Sequence, residues 1–188
     1  MIVRFAAFAL MIATPGFAAG VPLASNSEMA AIFKADQADR STPTIDWKVV
    51  TPADDKRRSR TQQLLDSGEL RTGDDFYDAA FIFQHGGTPN DYMKAHLLAI
   101  VAIAKGQPDA PWMAAASLDR YLHAIGKPQI LGTQFYGADG DRYTQEPYDK
   151  TVASDALRKV MQVPSLAKQE LQRHEYEEQA SNTKRSAK

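Results

Sequence analysis

Several polar side chains occur where the helical pattern of the sequence calls for apolar residues. On the first predicted helix, the apolar stripe of Met29, Ile32 and Phe33 continues at helical spacing to Asp36 and Arg40. Because Asp36 and Arg40 are four residues apart, their side chains can form an ion pair. A carboxylate on a buried stripe is costly unless it is paired or hydrogen-bonded. The pair is therefore either part of a polar site or an ion pair at the edge of the core.

Two histidines and a second aspartate could add acid–base chemistry to this set. His85 ends the third predicted helix, where the helix dipole favours a protonated imidazole. His96 lies on an apolar face of the fourth helix, and Asp119 lies on a partly apolar face of the fifth. An imidazole that is oriented by a carboxylate can act as a general base. The alternatives are that His85 only caps its helix and that His96 is a hydrogen-bonded core residue.

A polar segment follows the fifth predicted helix directly. Arg120 lies on that helix and offers a fork of donors to an anionic group. Gln129, Thr133 and Gln134 come after the helix and add neutral donors and acceptors, while Gly132 permits close backbone approach. Such a combination of charged and neutral polar groups is what a pocket for a small polar ligand requires. We expect the whole set to meet in one polar pocket.

Three classes of function fit these residues. The leading prediction is a protein that binds a small polar ligand or a peptide through Asp36, Arg40, Arg120, Gln129, Thr133 and Gln134. The second is a hydrolase or lyase, whose catalytic candidates are His85, His96 and Asp119. In that case one imidazole is the base, and Asp36 or Asp119 orients it. The third is a structural or interaction module whose polar residues only lock the packing of helices.

Motifs for common cofactors do not occur in the sequence. It has no P-loop, no dinucleotide-binding fingerprint and no G-x-S-x-G elbow. It has no Cys, which excludes disulfides and Cys-ligated zinc, and its histidines lack metal-binding spacing. We therefore expect no cofactor and no metal. With 22 basic and 23 acidic residues the chain also has no charge excess that would attract nucleic acid.

The first residues are typical of a secretory signal peptide. Arg4 precedes an apolar run over 5–13, a Pro-Gly breaker and small residues from Ala18. The run is too short to span a hydrocarbon layer of roughly 30 Å. We expect a signal peptide over 1–19, and an exported protein, periplasmic or extracellular, that has no stable membrane span after cleavage.

Residues typical of helix starts and ends recur along the remaining sequence. The predicted helices cover about 27–40, 52–67, 73–85, 89–105, 110–125, 153–162 and 165–176. The Asp139-Gly140 pair predicts a hairpin turn, and the apolar run over 97–104 predicts a central, buried helix. The arginine-rich first half of the second helix is predicted to be a solvated face. The predicted fold is mainly α, with antiparallel helical hairpins in one domain (25–176), a small β-hairpin after the fifth helix and a polar tail over 177–188.

Four short motifs resemble the pattern of an uncharacterised bacterial family that is known only as a domain of unknown function. They are D-Q-x-x-R at 36–40, Q-H at 84–85, L-D-R at 118–120 and G-x-P-Q-x-x-G-T-Q-F at 126–135. The resemblance covers roughly residues 28–137, and the last motif is the most specific. Many relatives have Tyr before the Gly-Thr-Gln, where this chain has Leu131, so a hydroxyl there is not essential to this member. The resemblance implies a grouping but no activity.

Overall fold

The described residues fold into a mainly helical structure with one small antiparallel sheet. The computed structural model describes residues 23–137 and 142–186, with side chains to residue 182. Seven helices lie within these ranges: α1 (Ser27–Arg40), α2 (Trp47–Asp66), α3 (Gly73–Gln84), α4 (Pro89–Ala104), α5 (Ala110–Ala124), α6 (Asp155–Val160) and α7 (Leu166–Ser186). Strands β1 (Tyr136–Gly137) and β2 (Tyr143–Thr144) lie between α5 and α6. The predicted fold class is confirmed.

Two predictions concern residues outside the described ranges. These are the signal peptide over 1–19 and the hairpin turn at Asp139-Gly140. The strands on either side of that turn pair as predicted, with Tyr136 opposite Thr144. None of the helices within the described ranges has both the length and the apolar sequence that a bilayer span requires.

Side-chain caps set the starts of the central helices. Thr72 and Asp75 form a reciprocal capping box at the start of α3. The buried Asp75 carboxylate also accepts from the backbone N–H groups of Arg71 and Asn26, at 2.8 and 2.7 Å. Burial alone would raise the pKa of Asp75, but the hydrogen bonds from Thr72, Arg71 and Asn26 outweigh it and lower the pKa. This one carboxylate therefore joins the start of α1 to the start of α3.

The start of α2 and the end of α7 differ from the sequence predictions. Asp46 caps α2, and Pro52, the predicted first residue, lies inside the helix. Because proline has no N–H, the carbonyl one turn earlier lacks its usual hydrogen-bond donor. Near its start the helix tolerates this missing hydrogen bond. At the other end of the chain, α7 continues past Tyr176 to Ser186. Arg173 pairs with Glu177 one turn later at 2.5 Å, and such pairs extend a polar helix.

Three consecutive helices, α3, α4 and α5, form the centre of the fold. The small side chains that face each other in this layer allow close helix packing. The larger cluster of buried apolar residues consists of Met29, Leu64, Leu70, Ala79, Ala80, Ile82, Phe83, Ala95, Leu98, Ala99, Met113 and Ala114. α1 and α2 pack against α3, which leaves a polar boundary where these helices meet the end of α3.

α4 is central, as predicted, but the prediction that it is buried is wrong for one of its faces. Leu98 and Ala99 are buried, but Leu97, Ile100 and Ile103 are 55, 46 and 40% exposed. α3 and α5 both pack on α4, and the described residues leave its remaining face uncovered. A helix that is apolar all round can therefore lie at the surface when only one of its faces is packed.

Candidate functional site

A network of ion pairs joins α1 to α2. Arg40 Nη1 lies 2.8 Å from Asp36 Oδ1, which is the pair that the helical spacing predicts. Arg40 Nη2 also reaches Asp54 Oδ2 on α2, at 2.5 Å. Arg57 pairs with Asp54 at 2.9 Å and with Asp39. Asp36 and Asp54 are both buried, and these arginines supply the opposite charge that their carboxylates need.

His85 extends this network from the end of α3. Its Nδ1 lies 2.9 Å from Asp36 Oδ2 and 3.1 Å from Asp36 Oδ1. The imidazole is 18% exposed and, within the described part of the chain, its Nε2 has no hydrogen-bond partner. The backbone of His85 also caps α3, because its N–H donates to the carbonyl of Phe81. The residue is thus a helix cap and a histidine oriented by a buried carboxylate at the same time.

A cleft of about 420 Å³ opens beside His85 and is called the arginine cleft below. It is lined by Arg40, Trp47, Thr51, Asp54, Asp55, Arg58, His85, Gly86, Gly87 and Arg120. Arg58 pairs with Asp55, whose side chain is 65% exposed, and Arg58 Nη1 donates to the carbonyl of His85 at 3.3 Å. Trp47 is 58% exposed. The cleft therefore combines three arginines and two aspartates with one imidazole and one indole.

Arg120 is the unusual cation of this cleft. Its Nη1 donates to the carbonyl of Gln84 at 3.0 Å, and its Nε donates to Gln134 Oε1 at 3.2 Å. The guanidinium also lies over the ring of Tyr92 at 5.7 Å. Burial, together with the nearby charge of Arg40, lowers the pKa of Arg120. No carboxylate among the described residues lies within ion-pair distance of Arg120, so its charge has no counter-ion there.

A second cleft of about 340 Å³ meets the first at Arg120 and Gly87 and is called the aromatic cleft below. It is lined by Gly87, Tyr92, Arg120, His123, Ala124, Gln134, Phe135 and Tyr136. The rings of His123 and Tyr136 are stacked, with centroids 4.2 Å apart. Burial raises the pKa of Tyr136 to about 12, so its hydroxyl stays protonated at neutral pH. Two residues, Arg120 and Gly87, thus line both clefts.

Asp119 does not line either cleft but organises the segment over 129–134. Its carboxylate is fully buried. Oδ1 accepts from the backbone N–H groups of Ile130 and Leu131, at 2.9 and 3.0 Å. Oδ2 accepts from the N–H and the hydroxyl of Thr133, at 2.9 and 2.8 Å. With four donors around it, the carboxylate acts as a structural anchor for the loop.

The carbonyl groups of the same loop are satisfied by buried long side chains. The fully buried Arg158 donates to the carbonyls of Leu131 and Ile130, at 2.5 and 3.4 Å. Gln169 Nε2 also donates to the carbonyl of Leu131, at 2.7 Å. Gly132 has φ +75°, and an added Cβ there would collide with Gln169, so its close backbone approach is confirmed. The loop is therefore held from both sides.

The glutamines predicted to bind a ligand are engaged within the protein. Gln129 Oε1 accepts from the N–H of Gln134 at 3.0 Å, and its Nε2 donates to the carbonyl of Gln134 at 2.9 Å and to that of Gln145. Gln134 Nε2 donates to the carbonyl of Ala116 at 3.3 Å, while its Oε1 holds Arg120. Gln134 thus lines the aromatic cleft and also positions the arginine.

His96 lies apart from both clefts. Its Nδ1 is 2.8 Å from the carbonyl oxygen of Ala114. Because a carbonyl can only accept, Nδ1 carries the proton, and the residue is a hydrogen-bonded part of the α4–α5 contact. This is the alternative that the apolar surroundings of His96 suggested.

The structure brings together some of the predicted site residues and separates others. Asp36, Arg40, His85 and Arg120 surround or line the arginine cleft, and Gln134 joins them through Arg120. The others, which are Asp119, Gln129, Thr133 and His96, lie within the fold and make the internal hydrogen bonds described above. Sequence reasoning missed Trp47, Asp54 and Arg58. The i,i+3 spacing of the Asp and Arg residues on α2 is the available signal, but the same spacing also fits a solvated face.

Comparisons with protein-family models, curated proteins and solved structures found no match for this chain. The resemblance to a bacterial family therefore stays a prediction. The four motifs that carry it are nevertheless in contact in the fold. Asp36 hydrogen-bonds His85, the carbonyl of Gln84 holds Arg120, and Arg120 holds Gln134. The function of the clefts has to be inferred from this geometry.

The anchoring role of Asp119 predicts a large effect of a small substitution. Asp119→Asn replaces one acceptor oxygen by an NH₂ group that faces backbone N–H donors, and it removes the charge that they stabilise. We expect a loss of about 2–4 kcal/mol in the free energy of unfolding, because hydrogen bonds to charged groups contribute about 1.5–3 kcal/mol each. Urea denaturation monitored by circular dichroism measures this loss.

The matched control is Asp66→Asn on α2, where the exposed Asp66 carboxylate accepts from Gln62 Nε2. A change of no more than about 0.5 kcal/mol is expected for this surface substitution. Equal changes for the two variants would show that the Asp119 carboxylate is not a structural anchor.

Proposed function

We propose that this protein binds a small ligand through an anionic group, a carboxylate or a phosphate, in the arginine cleft. The observation that supports this most strongly is Arg120, a partly buried guanidinium with only neutral oxygens as partners among the described residues. Arginine stays charged at neutral pH even when burial lowers its pKa. An anion at this position would supply the missing counter-charge.

The other basic residues differ from Arg120 because each already has a carboxylate. Arg40 bridges Asp36 and Asp54, and these buried carboxylates are fully engaged. Arg58 is paired with the exposed Asp55, and exposed ion pairs contribute little stability, so a ligand can replace Asp55. Arg120 and Arg58 are therefore the residues that would attract an incoming anion.

The charge balance of the cleft favours one anionic group rather than a polyanion. The aspartates of α1 and α2 offset most of the positive charge around Arg40. A planar guanidinium such as that of Arg120 can donate two parallel hydrogen bonds to a carboxylate or phosphate. A volume of about 420 Å³ is within the range of small-molecule pockets.

A second candidate function is acid–base catalysis by His85 on the bound ligand. The specific observation is the Nδ1 contact to the buried Asp36, which leaves Nε2 free beside the cleft among the described residues. In a hydrolysis, Nε2 would accept a proton from water while the water oxygen bonds to the carbonyl carbon or phosphorus. The imidazolium would then return the proton to the departing oxygen. Asp36 would hold the ring and stabilise the imidazolium as a positioning residue.

Arg120→Gln tests the binding proposal. Without ligand, the variant should differ from the wild type by no more than about 1 kcal/mol in the free energy of unfolding. The substitution removes a partly buried charge that has no counter-ion among the described residues, and this gain offsets the lost hydrogen bonds to the Gln84 carbonyl and Gln134. With 10 mM inorganic phosphate, the wild type should gain about 1.4 kcal/mol if Kd is about 1 mM, and the variant should gain almost nothing. Chemical denaturation with and without phosphate measures both effects.

Sodium chloride at matched ionic strength controls for screening, and Arg60→Gln is the matched variant because Arg60 pairs with the half-exposed Glu28 at the surface. Arg60→Gln should keep the full response to phosphate. The proposal would be contradicted if phosphate did not stabilise the wild type, or if it stabilised Arg120→Gln equally.

His85→Gln tests the catalytic candidate. The glutamine amide can still donate to Asp36, so the fold should be kept, but it cannot accept a proton. If His85 is a general base, hydrolysis of p-nitrophenyl phosphate or a p-nitrophenyl ester should fall about 100-fold or more. His96→Gln, which changes a histidine outside the cleft, is the control and should retain the rate. A wild-type protein without turnover, or a rate independent of His85, would leave binding as the function.

A further inference from the structure

The aromatic cleft continues the arginine cleft past Arg120. Both are lined by Arg120 and Gly87, and a Cβ added at Gly87 would meet no atom within 4 Å. No side chain at position 87 therefore separates the two spaces. A ligand whose anionic group pairs with Arg120 can extend into either cleft.

The walls of the aromatic cleft are suited to a ring. Four aromatic side chains line it, which are Tyr92, His123, Phe135 and Tyr136. The amide group of Gln134 is already engaged, because its Nε2 and Oε1 both make internal hydrogen bonds. The neutral hydroxyl of Tyr136 does not add charge to the surface. Aromatic faces and edges are therefore the main surface that a ligand would contact there.

We infer that the ligand carries a flat, unsaturated ring next to its anionic group and that this ring occupies the aromatic cleft. This inference rests on the proposed function, since Arg120 is taken to hold the anionic group. His123 is exposed and already stacks on Tyr136, so its outer edge and face are accessible to a further ring. Offset stacking and edge-to-face contacts between aromatic rings are both favourable.

The chemical class is thus an aryl or heteroaryl phosphate or carboxylate. Trp47 of the arginine cleft is the competing location for the ring, because its indole is largely exposed. Trp47 lines only one of the two clefts, whereas the ring cluster of the aromatic cleft begins at Tyr92, directly beneath the Arg120 guanidinium. A ring in the aromatic cleft therefore lies next to the anion that Arg120 holds.

Calorimetric titration with three probes tests the inference. The probes are inorganic phosphate, phenyl phosphate and cyclohexyl phosphate, which share the anion and differ in the ring. The wild type should bind phenyl phosphate about tenfold more tightly than phosphate and severalfold more tightly than cyclohexyl phosphate. His123→Ala should weaken the binding of phenyl phosphate about fivefold, because one aromatic ring of the cleft is lost. The binding of inorganic phosphate should not change, since alanine preserves the helix.

Two further variants separate the outcomes. Trp47→Ala should leave the preference for phenyl phosphate unchanged, whereas Arg120→Gln should weaken the binding of all three probes. If affinity depends on Arg120 but phenyl phosphate gains nothing over phosphate or cyclohexyl phosphate, the ring inference is wrong and the anion proposal stands. The ring inference is also wrong if Trp47→Ala, and not His123→Ala, removes the gain. If no probe depends on Arg120, the proposed function itself is wrong.

Discussion

The buried carboxylate of Asp119 is the constraint on which the candidate site depends. It accepts from three backbone N–H groups and one hydroxyl of the segment that follows α5, and so it fixes the path of that segment across the helical layer. Arg158 holds the carbonyls of the same segment. The segment in turn places Gln134 Oε1 against Arg120 Nε. A carboxylate that lies outside both clefts thereby positions one of the two hydrogen-bond partners that Arg120 has in the described part of the chain.

Arg120 differs from the cations that stabilise the fold. The cations that stabilise the fold, such as Arg40 and Arg57, are paired with carboxylates in a nearly closed network between α1 and α2. Arg120 has only neutral partners in the described chain, so burial works against its charge. A buried cation without a counter-ion costs stability, and an anion that bound beside it would offset this cost, as in the proposed function. His85 lines the same cleft as Arg120 and contacts Asp36 of the ion-pair network.

Local patterns predict the parts of this site that depend on local geometry. The helix class, the pairing of Asp36 with Arg40, the hairpin after α5 and the close approach at Gly132 all follow from spacing or residue type. The roles of Asp119, Gln129 and Thr133 could not be predicted, because their hydrogen bonds depend on the path of a loop without regular structure. The pattern of α2 assigns Asp54 and Arg58 to solvent, since the sequence does not show that α1 and α3 end against that face of α2. The exposed side of α4 is missed for the same reason, as its apolar sequence does not say which neighbours cover it.

The most direct test of the proposed site is to see an anion at Arg120. Crystals grown without phosphate or sulfate would be soaked in selenate, a tetrahedral anion whose selenium gives an anomalous signal. We predict a peak in the arginine cleft, with selenate oxygens about 2.7–2.9 Å from the Arg120 guanidinium, as in charge-assisted hydrogen bonds. Selenate bound at other surface arginines while Arg120 keeps only the Gln84 carbonyl and Gln134, or a carboxylate of the chain itself paired with Arg120, would contradict the proposed site.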